Sequence, residues 1–293
     1  MWAQLPQVLV SGLTLGAIYG LVALCFVTVF TVTRIINFAQ GEFVMLGALL
    51  TVSLAGSMPL PVAVAAAILI TAGAGLFVYW LAIRPARSAS DLTLVMITIG
   101  ISTALRGLAL MVWGTYPSPL RPFSQGPDFV VGTAVISRQA LWTLGTVAAA
   151  VLLLHLFFRH TRVGQALRAC AVNPLAARLM GIRPVLMHQI AFALAAGLSA
   201  LGGAVVAPLT YASYDMGLAL GLKGFVAAIM GGLVHPAGAV AGGLMLGLLE
   251  AGAGSIRSSL TDVVTFVVLL GVLLGTRVQP LGLGEREIDA GGV

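Results

Sequence analysis

Charge is what this chain has least of. Asp, Glu, Lys and Arg make up 8% of its 293 residues, against roughly 25% in an ordinary soluble domain. So few charges cannot cover a water-facing surface, and 59% of the residues are hydrophobic, so lipid is the solvent the composition fits. Cysteine is equally scarce: Cys25 and Cys170 have no CxxC or CxxH spacing, which excludes a disulfide framework and a zinc knuckle. Both are expected to be ordinary buried thiols. No G-x-x-x-x-G-K-[ST], H-E-x-x-H or G-x-S-x-G motif occurs. His155, His160, His188 and His235 are scattered, and no nucleophile stands near a base. No catalytic residue, metal site or bound cofactor is therefore expected, and the chain is not read as an enzyme. The net charge of +6 comes without a basic stripe interleaved with aromatics, so nucleic acid is not an expected partner.

What is present is a series of apolar runs. A helix needs roughly 20 apolar residues to cross the hydrocarbon core, and cutting at polar, Pro or Arg interruptions gives about eight membrane elements. These are Val8–Val32, Phe43–Ala55, Pro61–Ile83, Leu92–Trp113, Ala140–Phe158, Val185–Val206, a broken pair of Leu222–Leu233 and Ala237–Gly252, and Leu260–Thr276. The expected fold is all-α: a polytopic membrane protein forming one domain over residues 1–293. The leading MWAQLPQ lacks the basic start of a cleavable signal, so the first run is expected to remain as a helix. Phe43–Ala55 is too short to cross unless Asn37–Glu42 also lies within the membrane. Each arm of the pair broken at His235-Pro236 is also short, and is read as re-entrant or as two short spans. Interrupted helices at membrane depth line cavities, because unwound backbone must find polar partners.

Arginine placement sets the orientation, since short cytoplasmic loops are rich in Lys and Arg. Arg159 to Pro184 holds five arginines. Putting this segment inside also puts Arg34, Arg84, Arg87, Arg277 and Arg286 inside, with a cytoplasmic tail over about 277–293. The N-terminus and the Gly114–Gln139 connection, with Arg121 and Arg138, then lie outside. Within the segment, Gly164–Met180 spaces its apolar residues among arginines as a short amphipathic helix would, suited either to a lipid surface or to a groove on a partner protein. Glycine is abundant, at 36 residues, and its helical spacing in the second half predicts close helix packing.

An ionisable group at membrane depth costs about 2.5–3.5 kcal/mol on insertion scales. Glu42, Arg106, Lys223, Glu250 and Asp262 therefore need partners. Glu42 stands where a helix start would favour a carboxylate. Arg106 has Glu42, Glu250 and Asp262 as candidate partners. Lys223 and Asp215 are read as interfacial, flanking the entry to the broken pair.

Four blocks carry a resemblance: GLTLGAIYGLVAL, RIINFAQGEFVMLGALL, ALRACAVNPLAARLMGI and YDMGLALGLKGFVAAIMGGLVHPAGAVAGGLMLGLLEA. In this order, from about Leu9 to Leu283, they resemble the membrane permease of ATP-binding-cassette importers for branched-chain amino acids. The resemblance implies a second, related permease, two cytoplasmic ATPases that supply the energy, and an external substrate-binding protein. It implies that Arg168 and Asn173, Pro174, Leu175, Ala176, Ala177 through Gly181 form the segment that docks on an ATPase. Asn37, Gln40, Glu42 and Lys223 become candidates for the pathway or its gate. Two departures stand out. Gln40 replaces a frequent His, removing titration but keeping hydrogen bonding, and Leu175 replaces an acidic residue in the docking segment. Related permeases carry urea, amides or other amino acids, and an ion-coupled secondary transporter is the competing class.

Overall fold

Each long apolar run folds as a helix, because a chain in lipid must pair its own backbone polar groups. The computed structural model describes residues 5–275 apart from 88, 132 and 259. Thr276 and the expected tail over 277–293 lie outside the described residues. The helices are α1 (Leu5–Thr33), α2 (Gln40–Ala55), α3 (Leu60–Val78), α4 (Asp91–Trp113), α5 (Arg138–His160), α6 (Arg162–Val172), α7 (Pro174–Leu179), α8 (Pro184–Thr210), α9 (Met216–Met230), α10 (Pro236–Ile256) and α11 (Leu260–Gly275). Among the described residues, α1, α3 with its extension, α4, α5, α8 and α10 are long and apolar enough to cross a membrane, whereas α2 and α9 are apolar but shorter. The extension of α3 is a π-helical turn, Tyr79–Ile83.

The expected all-α class holds, with one small extended element beside the helices. Strands β1 (Phe129–Val131) and β2 (Ala134–Ile136) pair as a small antiparallel hairpin in the α4–α5 connection. Valine and isoleucine dominate both, in a stretch too short for a helical run, and such residues favour extended backbone.

Two helices form the centre. α1 is buried almost continuously from Gly16 to Phe30, and α8 over most of Ala191–Ala207. In contrast α4 and α5 turn most of their residues outward. No hydrophobic force drives helices together in lipid, so close packing depends on small residues. α1 and α10 run antiparallel along a glycine seam: a Cβ on Gly247 would lie 2.3 Å from Gly16 N, and one on Gly243 would lie 2.2 Å from Gly20 N. α2 runs parallel to α8 through a second seam, where a Cβ on Gly203 would lie 2.0 Å from Val44 O and one on Gly47 would lie 2.2 Å from Ala200 Cα.

The broken pair differs from its expected form. α9 starts at Met216, not at Leu222, because the apolar stretch ahead of Lys223 winds into the same helix; Lys223 therefore sits in mid-helix. Gly232, at φ +75, turns the chain, and Pro236 opens α10 at a position that needs no N–H partner. α10 has 21 residues, about 31 Å at 1.5 Å each, enough to cross alone. α9 has 15, or about 22 Å. One arm is thus full-length and the other short.

The glycine seams yield a direct test. Gly247→Leu, at the α1–α10 contact, should lower stability by about 1–3 kcal/mol or more through overpacking, whereas Gly100→Leu, with nothing within 4 Å of its Cβ position, should not. Thermal unfolding of the detergent-purified protein measures both, and equal melting temperatures would contradict the seam.

Candidate functional site

Between α1 and α2 the chain unwinds for the six residues Arg34–Ala39. α2 then begins next to Ser199, which lies 15 residues along α8, or about 22 Å from its start. Asn37–Glu42 is therefore inside the bundle at mid-depth, the condition that the short second run required. Polar side chains satisfy the unwound backbone. Asn37 Oδ1 accepts from Ala39 N at 3.1 Å, and Thr98 Oγ1 of α4 accepts from Phe38 N at 3.2 Å. Asn37 Nδ2 donates to Gln40 Oε1 at 3.3 Å. Gln40 Nε2 donates to Ser199 Oγ at 2.7 Å and to Ala195 O at 3.0 Å. Gln40 is 0% exposed and makes these bonds without a titratable ring.

One turn further, Glu42 Oε1 accepts from Ser102 Oγ at 2.9 Å and from Arg106 Nη2 at 2.8 Å. Of the three candidate partners for Arg106, the structure selects Glu42. Glu42 does occupy the first turn of α2, but its carboxylate accepts from side chains of α4 and not from its own helix end. The carboxylate is 1% exposed and the guanidinium 27%, so the pair sits inside with one flank open. Glu42 Oε2 has no hydrogen-bond partner among the described residues and lies against the backbone of α9, where a Cβ on Gly217 would be 2.5 Å away.

The second ion pair is Lys223 with Glu250, joining α9 to α10. Lys223 Nζ also lies 5.6 Å from the centroid of the Tyr19 ring on α1, a cation–π distance. This corrects the interfacial placement of Lys223: at 16% exposure, against 2% for Glu250, it is a bundle-interior group spanning the broken pair. Asp215 is held apart at the turn, accepting from Ser213 Oγ. The side chain of Asp262 lies outside the described residues.

None of Asn37, Gln40, Glu42 and Lys223 lines the aliphatic cavity of the bundle. That space, about 1000 Å³, opens between α1, α5, α6 and α10. Its wall is mostly aliphatic, with Thr28, Thr31 and His155 along it and Arg159 and Arg168 where α5 and α6 meet. The Thr31 hydroxyl is buried there with no hydrogen-bond partner among the described residues. Nothing in the pattern of residues marks this wall, since single threonines within apolar runs look like any other membrane-helix residue.

At the arginine-rich end, the expected amphipathic helix is two helices. Pro174 cannot continue α6, and the Asn173 side chain caps α7 by accepting from Leu175 N and Ala176 N, both at 3.0 Å. Leu167, Cys170 and Ala177 pack on Val32, Met187 and Ala191 of the bundle. The thiol of Cys170 is pushed above its ordinary pKa by burial, partly offset by Arg178, so it stays protonated and unreactive at neutral pH. Facing the other way are Val172, Leu175, Leu179 and Met180, which are 66–87% exposed. The sequence-predicted docking residues therefore divide: Leu175 points outward, Ala177 anchors the loop, Arg168 borders the cavity, and Gly181 supplies the left-handed turn at φ +82.

Residues 8–273 match the family model described as branched-chain amino acid transport system / permease component. The chain is 32% identical over 302 residues to the high-affinity branched-chain amino acid transport system permease protein BraD of Pseudomonas aeruginosa, covering 97% of each. It is 31% identical over 303 residues to the corresponding permease protein LivH of Escherichia coli K12, covering 97% of this chain and 96% of the relative. A more distant relative is the ribose import permease protein RbsC of Escherichia coli K12, 29% identical over 269 residues, 86% of this chain and 80% of the relative. No solved structure matches.

Removing one member of a buried ion pair costs about 3–5 kcal/mol because the other is stranded. Arg106→Leu should therefore destabilise the purified protein by an amount in that range, and adding Glu42→Gln should recover part of it. Melting curves of the single and double variants test the pair; additive losses would remove it as an interaction.

Proposed function

The chain belongs to the family of branched-chain amino acid transport permease components, a family of multi-pass membrane proteins, and from that premise we propose that it is the membrane-spanning subunit of an ATP-binding-cassette importer for branched-chain or similar hydrophobic amino acids in a bacterial inner membrane. In this proposal residues 1–293 form a single permease domain with eight membrane elements, α9 and α10 counting as the broken pair. The N-terminus is outside and the C-terminus cytoplasmic. The chain binds no cofactor of its own. It works beside a second homologous permease, two cytoplasmic ATPases and an external substrate-binding protein.

The observation that carries the proposal is the outward face of α7. Four large apolar side chains stand on a loop otherwise rich in arginine, and such a patch needs a covering surface. The chain has no phosphate-binding loop, so the energy must reach it through a partner, and this segment is where a partner fits. Arg168, Asn173, Pro174, Leu175, Ala176, Ala177 and Gly181 are the coupling segment: Ala177 transmits motion of α7 into the ends of α1 and α8, and Asn173 keeps α7 intact. Leu175, 66% exposed, makes the contact apolar.

The cavity bordered by Thr28, Thr31 and His155 is the wall of the pathway, and its aliphatic lining suits an aliphatic side chain. Asn37, Gln40, Glu42 and Lys223 act behind that wall as gating groups. Their bonds tie α2 to α4 and α8, and α9 to α10, and hold one arrangement of the bundle until the coupling segment moves. The similarity to a ribose import permease favours a second reading of the cargo: the same machine with another small solute.

Proteoliposomes containing this chain, the second permease and both ATPases, given the external protein and leucine, should accumulate leucine only with ATP. Uptake by this chain alone under an ion gradient would contradict the proposal. Leu175→Asp with Met180→Asp should abolish ATPase recruitment and uptake while leaving membrane insertion unchanged; normal recruitment would remove α7 from the coupling role.

A further inference from the structure

A second cavity, of about 780 Å³, lies at the arginine-rich end of the bundle, where α1, α3 and α8 reach the membrane edge. Three cations from three separate elements line it: Arg34 after α1, Arg87 after the π-helical turn and Arg178 in α7. Tyr79 and His188 add polar groups, and none of the lining residues is acidic. The two salt bridges among the described residues involve none of these arginines. The remaining wall is largely aliphatic and includes Val185. α8 starts here with Pro184, so the positive end of a 27-residue helix adds to the field.

Two backbone features gather at the same place. Arg34 has φ +58, in the left-handed region where a helix end normally uses glycine. The side chain that takes on this strain reaches Ala171 O at 3.5 Å and stacks 5.9 Å from the Phe30 ring, which holds it at the cavity. The π-helical turn at Tyr79–Ile83 brings Tyr79 to the wall and Arg87 after it, and such turns are frequent at functional sites.

We propose that this cavity binds the phosphate of an anionic phospholipid headgroup. Guanidinium groups bind phosphate oxygens with paired N–H donors, and the anionic leaflet surface supplies the charge that three cations need. A free phosphate would use the arginines but not the aliphatic wall, and a lipid uses both. The bound headgroup bridges the ends of α1, α3 and α8 to α7, bracing the loop that the proposed function assigns to coupling. The inference rests on the membrane placement of the chain and not on the ATPase contact.

The test uses the full chain purified in detergent and measures retained lipid by native mass spectrometry. Palmitoyl-oleoyl phosphatidylglycerol, palmitoyl-oleoyl phosphatidylcholine and inorganic phosphate are the probes. Phosphatidylglycerol should be retained in preference to phosphatidylcholine, and millimolar inorganic phosphate should not displace it. Arg87→Gln with Arg178→Gln should weaken phosphatidylglycerol retention about thirtyfold, at roughly fivefold for each lost charge near the surface. Arg34→Gly should also weaken retention without lowering the melting temperature of the lipid-free protein, because glycine accepts that φ. Equal retention of the two lipids, full displacement by inorganic phosphate, or unchanged retention in all variants would each overturn the proposal. So would variants that lose ATPase recruitment but keep the lipid, since the arginines would then serve an acidic protein surface.

Discussion

Backbone polar groups at membrane depth must be bonded inside the protein, and the rest of this structure is arranged around the place where the chain breaks that pattern. From Arg34 to Ala39 the backbone is unwound while it travels from the bundle end to its middle. Water cannot satisfy it there, so the side chains of Thr33, Asn37 and Thr98 do, and Gln40, bonded to Ser199, holds Asn37 in place. Once that segment is secured, α2 can begin at mid-depth, and its first turn sets Glu42 at the centre of the bundle, where Ser102 and Arg106 meet it. A helix that simply crossed would have placed its first carboxylate at the surface.

The glycine seams serve the same arrangement. An interior that contains two ion pairs and an unwound strand tolerates no slack, because each charge is worth keeping only while its partner stays within bonding distance. Close backbone contact of α1 with α10 and of α2 with α8 fixes those distances. The result joins two chemistries in one bundle: a bonded polar interior among α2, α4, α8, α9 and α10, and an aliphatic cavity bounded by α1, α5, α6 and α10. α10 belongs to both, carrying Glu250 in the polar interior and Pro236, Ala237, Val240 and Leu244 in the cavity wall.

Much of the fold was legible from the chain because hydrophobic length and the Pro and polar interruptions that end a run are local properties. The long runs, the break before Pro236 and the possibility that Asn37–Glu42 lay inside the membrane could all be read that way. What failed depended on register between distant helices. Lys223 looked like an interfacial residue at a helix start because nothing nearby in sequence announces Glu250 as its partner. Arg106 had three candidate carboxylates, and the choice of Glu42 follows from the packing of α4 beside α2. The break between α6 and α7 is a different case. Asn173-Pro174 is a local signal of a cap followed by a first-turn proline, and the regular spacing of apolar residues across it concealed the stop. The aliphatic cavity could not be read at all, because it is a space between helices and belongs to no single segment.

The mid-depth lock can be examined without transport. In lipid nanodiscs, hydrogen exchange read by mass spectrometry reports whether the amides of Phe38 and Ala39 are bonded although neither lies in a helix. The account predicts strong protection over residues 38–40, comparable with the buried turns of α8, and loss of that protection in Gln40→Ala. Rapid exchange of this segment in the unaltered protein would mean that water reaches it, and the central bonded interior described here would be wrong.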